Sequence, residues 1–130
     1  MPEHRLTWTR ALEGWDHEAL LSALADDVVI RVAVHDEPMH GRAVADFLFG
    51  VLREELAPPR ITDEIVEGGS AVVLFETEVD GLGAQGLNVL RFGDDGRVGD
   101  LTVFFRPLET LARIGEVVGQ RMQAQFGPPA

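Results

Sequence analysis

From Arg60 to Arg106 the chain reads RITDEIVEGGSAVVLFETEVDGLGAQGLNVLRFGDDGRVGDLTVFFR, and apolar residues alternate with polar ones through most of it. A period of two is the mark of strands that bury one face. Gly68-Gly69, Asp80-Gly81 and Asp94-Asp95-Gly96 break the alternation with residue types that accept tight turns. The spacing predicts strands near 60–67, 70–80, 85–93 and 97–105, and consecutive hairpins make an antiparallel sheet. On the second of these, Val73, Phe75, Thr77 and Val79 share one face, opposite Glu76, Glu78 and Asp80.

Upstream of this block the period changes. Val44, Phe47, Leu48, Val51 and Leu52 form a wide helical stripe that Pro58-Pro59 must end, because proline cannot continue the backbone ladder. Before it, Val28 to Val34 is β-branched, with Val28, Ile30, Val32 and Val34 on one face, which predicts a strand. Trp8, Ala11, Leu12 and Trp15 recur at helical spacing, and Asp16 offers an N-cap for a second short helix carrying Leu20, Leu21 and Leu24. Downstream, Pro107 sits where a helix can begin, and Leu108, Leu111, Ala112, Gly115, Val118 and Met122 lie along one side of it. The order α-α-β-α-β-β-β-β-α predicts an α+β cone in which a curved, mixed, mainly antiparallel sheet wraps around helices. Residues 1–123 form one domain in this reading and 124–130 a flexible tail.

Composition narrows the function. The 130 residues carry 22 acidic and 11 basic side chains, a formal charge of -11, so polyanions such as DNA, RNA and anionic lipid are repelled over most of the surface. Every basic residue is Arg, and Lys, Cys and Tyr are absent. Schiff-base lysines, thiol nucleophiles, zinc–thiolate centres and tyrosine acids are therefore excluded. The longest apolar run, Ala71 to Phe75, is far below the ~18 residues of a membrane span. The expectation is a cytoplasmic protein with neither cofactor nor metal.

The LADD segment from Leu24 to Asp27, the strand leading to Pro38 and Gly41, the RFGDDGRV hairpin from Arg91 to Val98 and LTVFFRPLETL from Leu101 to Leu111 occur in an order that resembles the SnoaL-like proteins of the nuclear transport factor 2-like superfamily. The resemblance covers nearly the whole chain and implies a cone of sheet closed by helices. One scaffold in that superfamily serves isomerases, cyclases, hydrolases, dehydratases and proteins without known catalysis. Laid over its steroid isomerases, this chain places Val32 where they keep the carboxylate base, and Trp8 and Asn88 where they keep two oxyanion donors. Valine accepts no proton, so enolisation by that route lacks its base. The carboxylate that its cyclases and epoxide hydrolases keep on the final strand falls on Val103. Catalysis is therefore left open. The resemblance implies a cavity floor of Val32, Leu90, Leu101, Val103 and Phe105, with Asn88 as its polar group and Trp8 at the pocket, suited to holding a small, mainly apolar molecule by area burial.

Other constellations have two readings each. His35, Asp36, Glu37 and His40 flank Pro38 and form an acid/base dyad or proton relay, a two-His-one-carboxylate metal site, or a solvated acidic loop, and the last is preferred because neighbours on an extended chain point apart and metal sites usually draw ligands from several elements. Trp8 and Trp15 either stack on a flat ligand or pack in the core. Arg31, Arg91 and Arg106 either clamp a carboxylate or make ion pairs, the simpler reading among 22 acids. Val72, Leu74, Val89 and Phe104 fall on the sheet face opposite the cavity, an apolar patch whose expected cover is a second copy of the chain. The reading is thus a dimeric cone protein that binds a small apolar molecule, with isomerisation, cyclisation or dehydration as its candidate chemistry. The alternative is a non-catalytic interaction module using that sheet face.

Overall fold

The computed structural model describes residues 6–34 and 36–127. Two short helices, α1 (Thr7–Glu13) and α2 (His17–Ala23), lead into β1 (Leu24–Arg31), a two-residue β2 (Met39–His40) and α3 (Arg42–Glu55). Four long strands follow, β3 (Arg60–Glu67), β4 (Ser70–Val79), β5 (Leu82–Phe92) and β6 (Val98–Arg106), and α4 (Leu108–Phe126) ends the chain. The strands form one open six-stranded sheet in the order β2-β1-β6-β5-β4-β3. Only β1 and β6 run parallel, so the sheet is mixed but mainly antiparallel. Among the described residues no helix is long and apolar enough to cross a membrane.

Alternation sets which side of the sheet meets the helices. Ala71, Val73, Phe75, Thr77 and Val79 on β4 are buried, as are Ala84, Gly86, Asn88 and Leu90 on β5. On β6 the ladder slips between Arg91 and Phe92 of its partner strand. An irregularity of this kind lets Val98 and Leu101, three apart, both face inward. Turns at Gly68 (φ 59°), Asp80-Gly81 (φ 50° and 79°) and Gly96 (φ 79°) use the left-handed region that glycine and short polar residues enter at least cost.

Several boundaries differ from the sequence expectation. The first strand begins at Leu24 and stops at Arg31, where its pairing with β6 ends. Asp26 and Asp27 are exposed within it because the register shifts between Leu24 and Val29, and that bulge hides the start of the strand from a period-two reading. Val32 therefore lies beyond the strand, half-buried, and Val34 is 46% exposed. The last helix buries Thr110, Ile114 and Val118, while Leu108 is 79% exposed. Helix α4 continues to Phe126, through residues 124–126 of the segment 124–130 read as a tail. Phe126 is held edge-to-face on Phe47 of α3 at 5.5 Å.

The helices are fixed by polar contacts at their ends. Asp16 caps α2 by accepting from the Ala19 N–H at 3.1 Å. On α4 the Thr110 hydroxyl donates to the Gly83 carbonyl at 2.9 Å, Arg113 donates to Asp80 at 2.6 Å and Arg121 pairs with Glu54 and Glu55 on α3. The Asp80 hydrogen bond holds the Arg113 guanidinium above its ordinary pKa, and those to Glu54 and Glu55 do the same for Arg121. Helix α1 has no cap from its own sequence. Glu64 of β3 substitutes, accepting from the Leu6 N–H at 3.1 Å and from the hydroxyl of fully buried Thr9. A carboxylate acceptor is worth about twice a neutral one. Glu64→Gln keeps an acceptor and loses the charge, so we expect a loss of about 1 kcal/mol, read as a lower urea midpoint at unchanged slope.

Candidate functional site

Between the sheet and the first three helices lies a cavity of ≈ 40 Å³. Trp8, Leu12 and Trp15 line it from α1 and the turn after it, Leu20 from α2, and Phe49 and Leu52 from α3. Phe75 and Thr77 of β4, Asn88 of β5, and Leu101, Val103 and Phe105 of β6 line it from the sheet. Each side chain arrives by the periodicity of its element: every second residue of a strand, and three or four apart on a helix. Phe49 stands edge-to-face on Trp8, ring centroids 5.9 Å apart, and Phe75 stands likewise against Phe105.

Of the residues expected at the site, Trp8, Asn88, Leu101, Val103 and Phe105 line this one cavity. Val32 and Leu90 do not. Leu90 faces inward but is fully buried in the packed core, and Val32 lies past the end of β1. Asp36 and His40 are exposed and are not among the residues lining the cavity, while His35 lies outside the described residues. Glu78 is exposed, Glu76 pairs with Arg60, and Asp80 pairs with Arg113. Arg31 pairs with Asp100, Arg106 donates to Gln85, and Arg91 is exposed.

The two polar positions meet each other. Trp8 Nε1 donates to Asn88 Oδ1 at 3.0 Å, and both residues are buried, at 3% and 5% exposure. An indole nitrogen can only donate, so the atom it meets must be the amide oxygen. The Asn88 NH₂ is thereby fixed as the free end of the amide, and no hydrogen bond among the described residues engages it. Thr77 is already committed, its hydroxyl donating to the Ala57 carbonyl at 2.6 Å. Trp15 Nε1 is buried without a hydrogen-bond partner. A buried donor in that condition costs about 1–3 kcal/mol.

The remaining wall is apolar, and among the described residues no Asp, Glu, His or Arg lines the cavity. The wall itself thus offers neither a general base nor a metal ligand set, only neutral hydrogen-bond donors and one hydroxyl oxygen. Phe49, Thr77 and Trp15 are among the contributors that the sequence reading did not place at the site. Phe49 sits one helical position off the stripe read for α3. Thr77 was seen only as an inward strand residue. Trp15, weighed mainly as packing, is turned toward the cavity by a left-handed backbone at φ 50°.

No family model matches the sequence, and no curated protein matches it. Solved structures do. A steroid delta-isomerase from Pseudomonas aeruginosa superposes with a TM-score of 0.81 at 26% identity, over 92% of this chain and 88% of its own. A protein with a cystatin-like fold from Silicibacter pomeroyi DSS-3 gives 0.79 at 20% identity, over 92% and 82%. A SnoaL-like protein from Burkholderia thailandensis E264 gives 0.65 at 20% identity, over 78% and 90%. The open six-stranded mixed sheet with its four helices is the cystatin-like cone that these proteins share, the fold of the nuclear transport factor 2-like superfamily.

Proposed function

We propose that this protein binds a small, neutral, mainly apolar molecule in the cavity, with Asn88 as the group that orients it. The observation that carries the reading is the buried Trp8–Asn88 hydrogen bond, which spends the amide oxygen and leaves the amide N–H donors for a ligand acceptor. A volume of ≈ 40 Å³ takes only a few water molecules at ~10–15 Å³ each. It falls well below the ~300–1,000 Å³ of common ligand pockets. The fit is to a molecule of a few heavy atoms rather than to a ring, since a cavity that takes benzene measures ~150 Å³. A carboxylate or ammonium would enter without a counter-charge, at high desolvation cost. Any reaction is then one that polarisation of a carbonyl can assist, such as an isomerisation, cyclisation or dehydration, because the described wall brings no proton acceptor of the carboxylate or imidazole kind. Native mass spectrometry of protein purified without added ligand, followed by thermal shift with small acyclic ketones, tests this reading. A retained neutral mass or a concentration-dependent rise in Tm is expected. No retained mass and no shift would remove the cavity as a binding site.

The outer sheet face supports a second reading, self-association. Phe104 is 51% exposed, beside half-buried Leu87 and Leu74 in register across the neighbouring strands. A contiguous apolar patch of this kind is the sort of surface that a second copy covers. We expect a homodimer by light scattering, and Phe104→Glu should shift it to monomer with the fold intact by circular dichroism. A monomeric wild-type protein at high micromolar concentration would end this reading.

A further inference from the structure

The ladder registers sort the outward side chains of β3 to β6 into rows that run across the sheet. Arg60, Glu76, Gln85 and Arg106 make one outer row, and Glu67, Ser70, Arg91 and Asp100 make the other. Between them lie two mainly apolar rows, one with Leu74, Leu87 and Phe104 beside Asp63, the other with Ile65, Val72 and Val89 beside Thr102. Rows lie two residues apart along a strand, about 7 Å, so the charged rows stand about 20 Å apart with the apolar band between them. The four rows hold three arginines against four acids, whereas the whole chain has 11 basic residues against 22 acids. This face is therefore spared most of the acidic excess that would drive two copies apart.

Two copies that pack this face with strands aligned share a two-fold axis lying between the sheets, either along the strands or across them. An axis along the strands, centred on the band, keeps each row over its own equivalent and exchanges the sheet's sides. Arg60 then faces Arg106 of the second copy, and Glu67 faces Asp100 of the second copy. Both contacts join like charges, and each occurs twice. An axis across the strands keeps each strand over its own equivalent and exchanges the rows. Arg60 then faces Glu67 of the second copy, Arg106 faces its Asp100, and Leu87 and Leu74 meet its Val89 and Val72. Asp63 meets an apolar side chain in either arrangement, Phe104 in the first and Ile65 in the second, so it does not choose between them.

We infer that the second copy docks with the two-fold axis across the strands, between the Leu87 and Val89 rows, and that ion pairs Arg60–Glu67 and Arg106–Asp100 between copies set this register. The inference rests on the self-association proposed above. Opposed charges fix the register of an interface more than they add affinity, because the wrong arrangement sets like charges against each other. Within one chain Arg60 pairs with Glu76 and Asp100 with Arg31, so the contacts between copies extend existing pairs into networks. Among the described residues Arg106 donates to neutral Gln85 and pairs with no carboxylate; the second copy supplies one.

Sedimentation equilibrium of wild type, Glu67→Arg, Arg60→Glu and the double variant tests the register, with circular dichroism as the check on folding. The substituted positions are exposed. Glu67→Arg sets an arginine against Arg60 of the second copy at two places and should weaken the dimer by roughly five- to thirtyfold, as should Arg60→Glu. The double variant restores both pairs in reverse and should return to within about threefold of wild type. The axis along the strands demands the opposite sign, since Glu67→Arg would then relieve the contact with Asp100 and tighten the dimer. Should Arg60→Glu fold poorly beside Glu76, Arg106→Glu reads the other pair, and a weaker dimer is again expected. A dimer whose Kd is unchanged or lowered by Glu67→Arg overturns the register and leaves self-association standing. Wild-type protein that stays monomeric overturns both.

Discussion

Gly86→Ala is expected to lower the stability of this protein by about 1–3 kcal/mol, the range for adding a methyl group to a packed core. Gly86 is buried on β5, opposite Phe75 of β4 on one side and Phe105 of β6 on the other. A Cβ there would lie 2.5 Å from Phe75 Cζ, 2.7 Å from Phe75 Cε1 and 2.9 Å from Phe105 Cε1. The two rings stand edge-to-face at 83° with centroids 5.9 Å apart, so they occupy the space that the missing side chain leaves. Alanine restricts the unfolded chain more than glycine does, which favours folding by about 0.4–1 kcal/mol; the clash is the larger effect. Thermal melts should show Tm lower by roughly 3–10 °C. Phe105 is only half-buried and can move more easily than Phe75, so Gly86→Ala with Phe105→Leu should recover part of the loss. Both rings also line the cavity, so the single variant should bind small ketones more weakly as well. A Gly86→Ala protein melting within a degree of wild type would show that the aromatic pair yields freely and is not held by the glycine.

The physics of period two made the sheet readable before any coordinates. β3 and β4 fall where alternation and Gly68-Gly69 put them, and Asp80-Gly81 turns as those residue types allow. What alternation gives is a face, and a face is not a depth. Leu90 and Asn88 point the same way from β5, yet Asn88 reaches the cavity and Leu90 is lost in the core. Alternation also fails where a strand bulges: Asp26 and Asp27 hide the start of β1, and the alternation runs on to Val34 after the ladder has stopped at Arg31. Helices hide more. A stripe on α3 announces that the helix packs, but whether Phe47 or Phe49 meets Trp8 is set by how the helix lies on the sheet. Phe49 meets Trp8, and Phe47 meets Phe126 instead. Trp15 was the least legible, because its orientation depends on one positive φ that no local pattern announces.

Asn88→Leu should cost more than its size suggests. From sequence alone the substitution reads as a change at a ligand contact that leaves folding near normal. The Trp8–Asn88 hydrogen bond at 3.0 Å corrects that expectation. Leucine fills the space but cannot accept, so Trp8 Nε1 would be left buried and unpaired, at a cost of about 1–3 kcal/mol. Trp8→Phe removes the donor instead and frees the Asn88 oxygen beside the cavity, where water has room to reach it at ≈ 40 Å³. That change should cost less in polar terms, though it also gives up indole packing on Phe49. The double variant leaves neither partner stranded. Its destabilisation should therefore fall short of the sum of the singles by about 1 kcal/mol or more, the sign of coupled partners in a mutant cycle. Urea unfolding of the four proteins measures it. Ketone affinity separates the roles further: Asn88→Leu should bind small ketones more weakly, whereas Trp8→Phe, which leaves the Asn88 amide donors in place, should bind them as wild type does. Strictly additive stabilities would mean that the two buried groups do not depend on each other, and the cavity would lose the hydrogen bond that sets the direction of its amide.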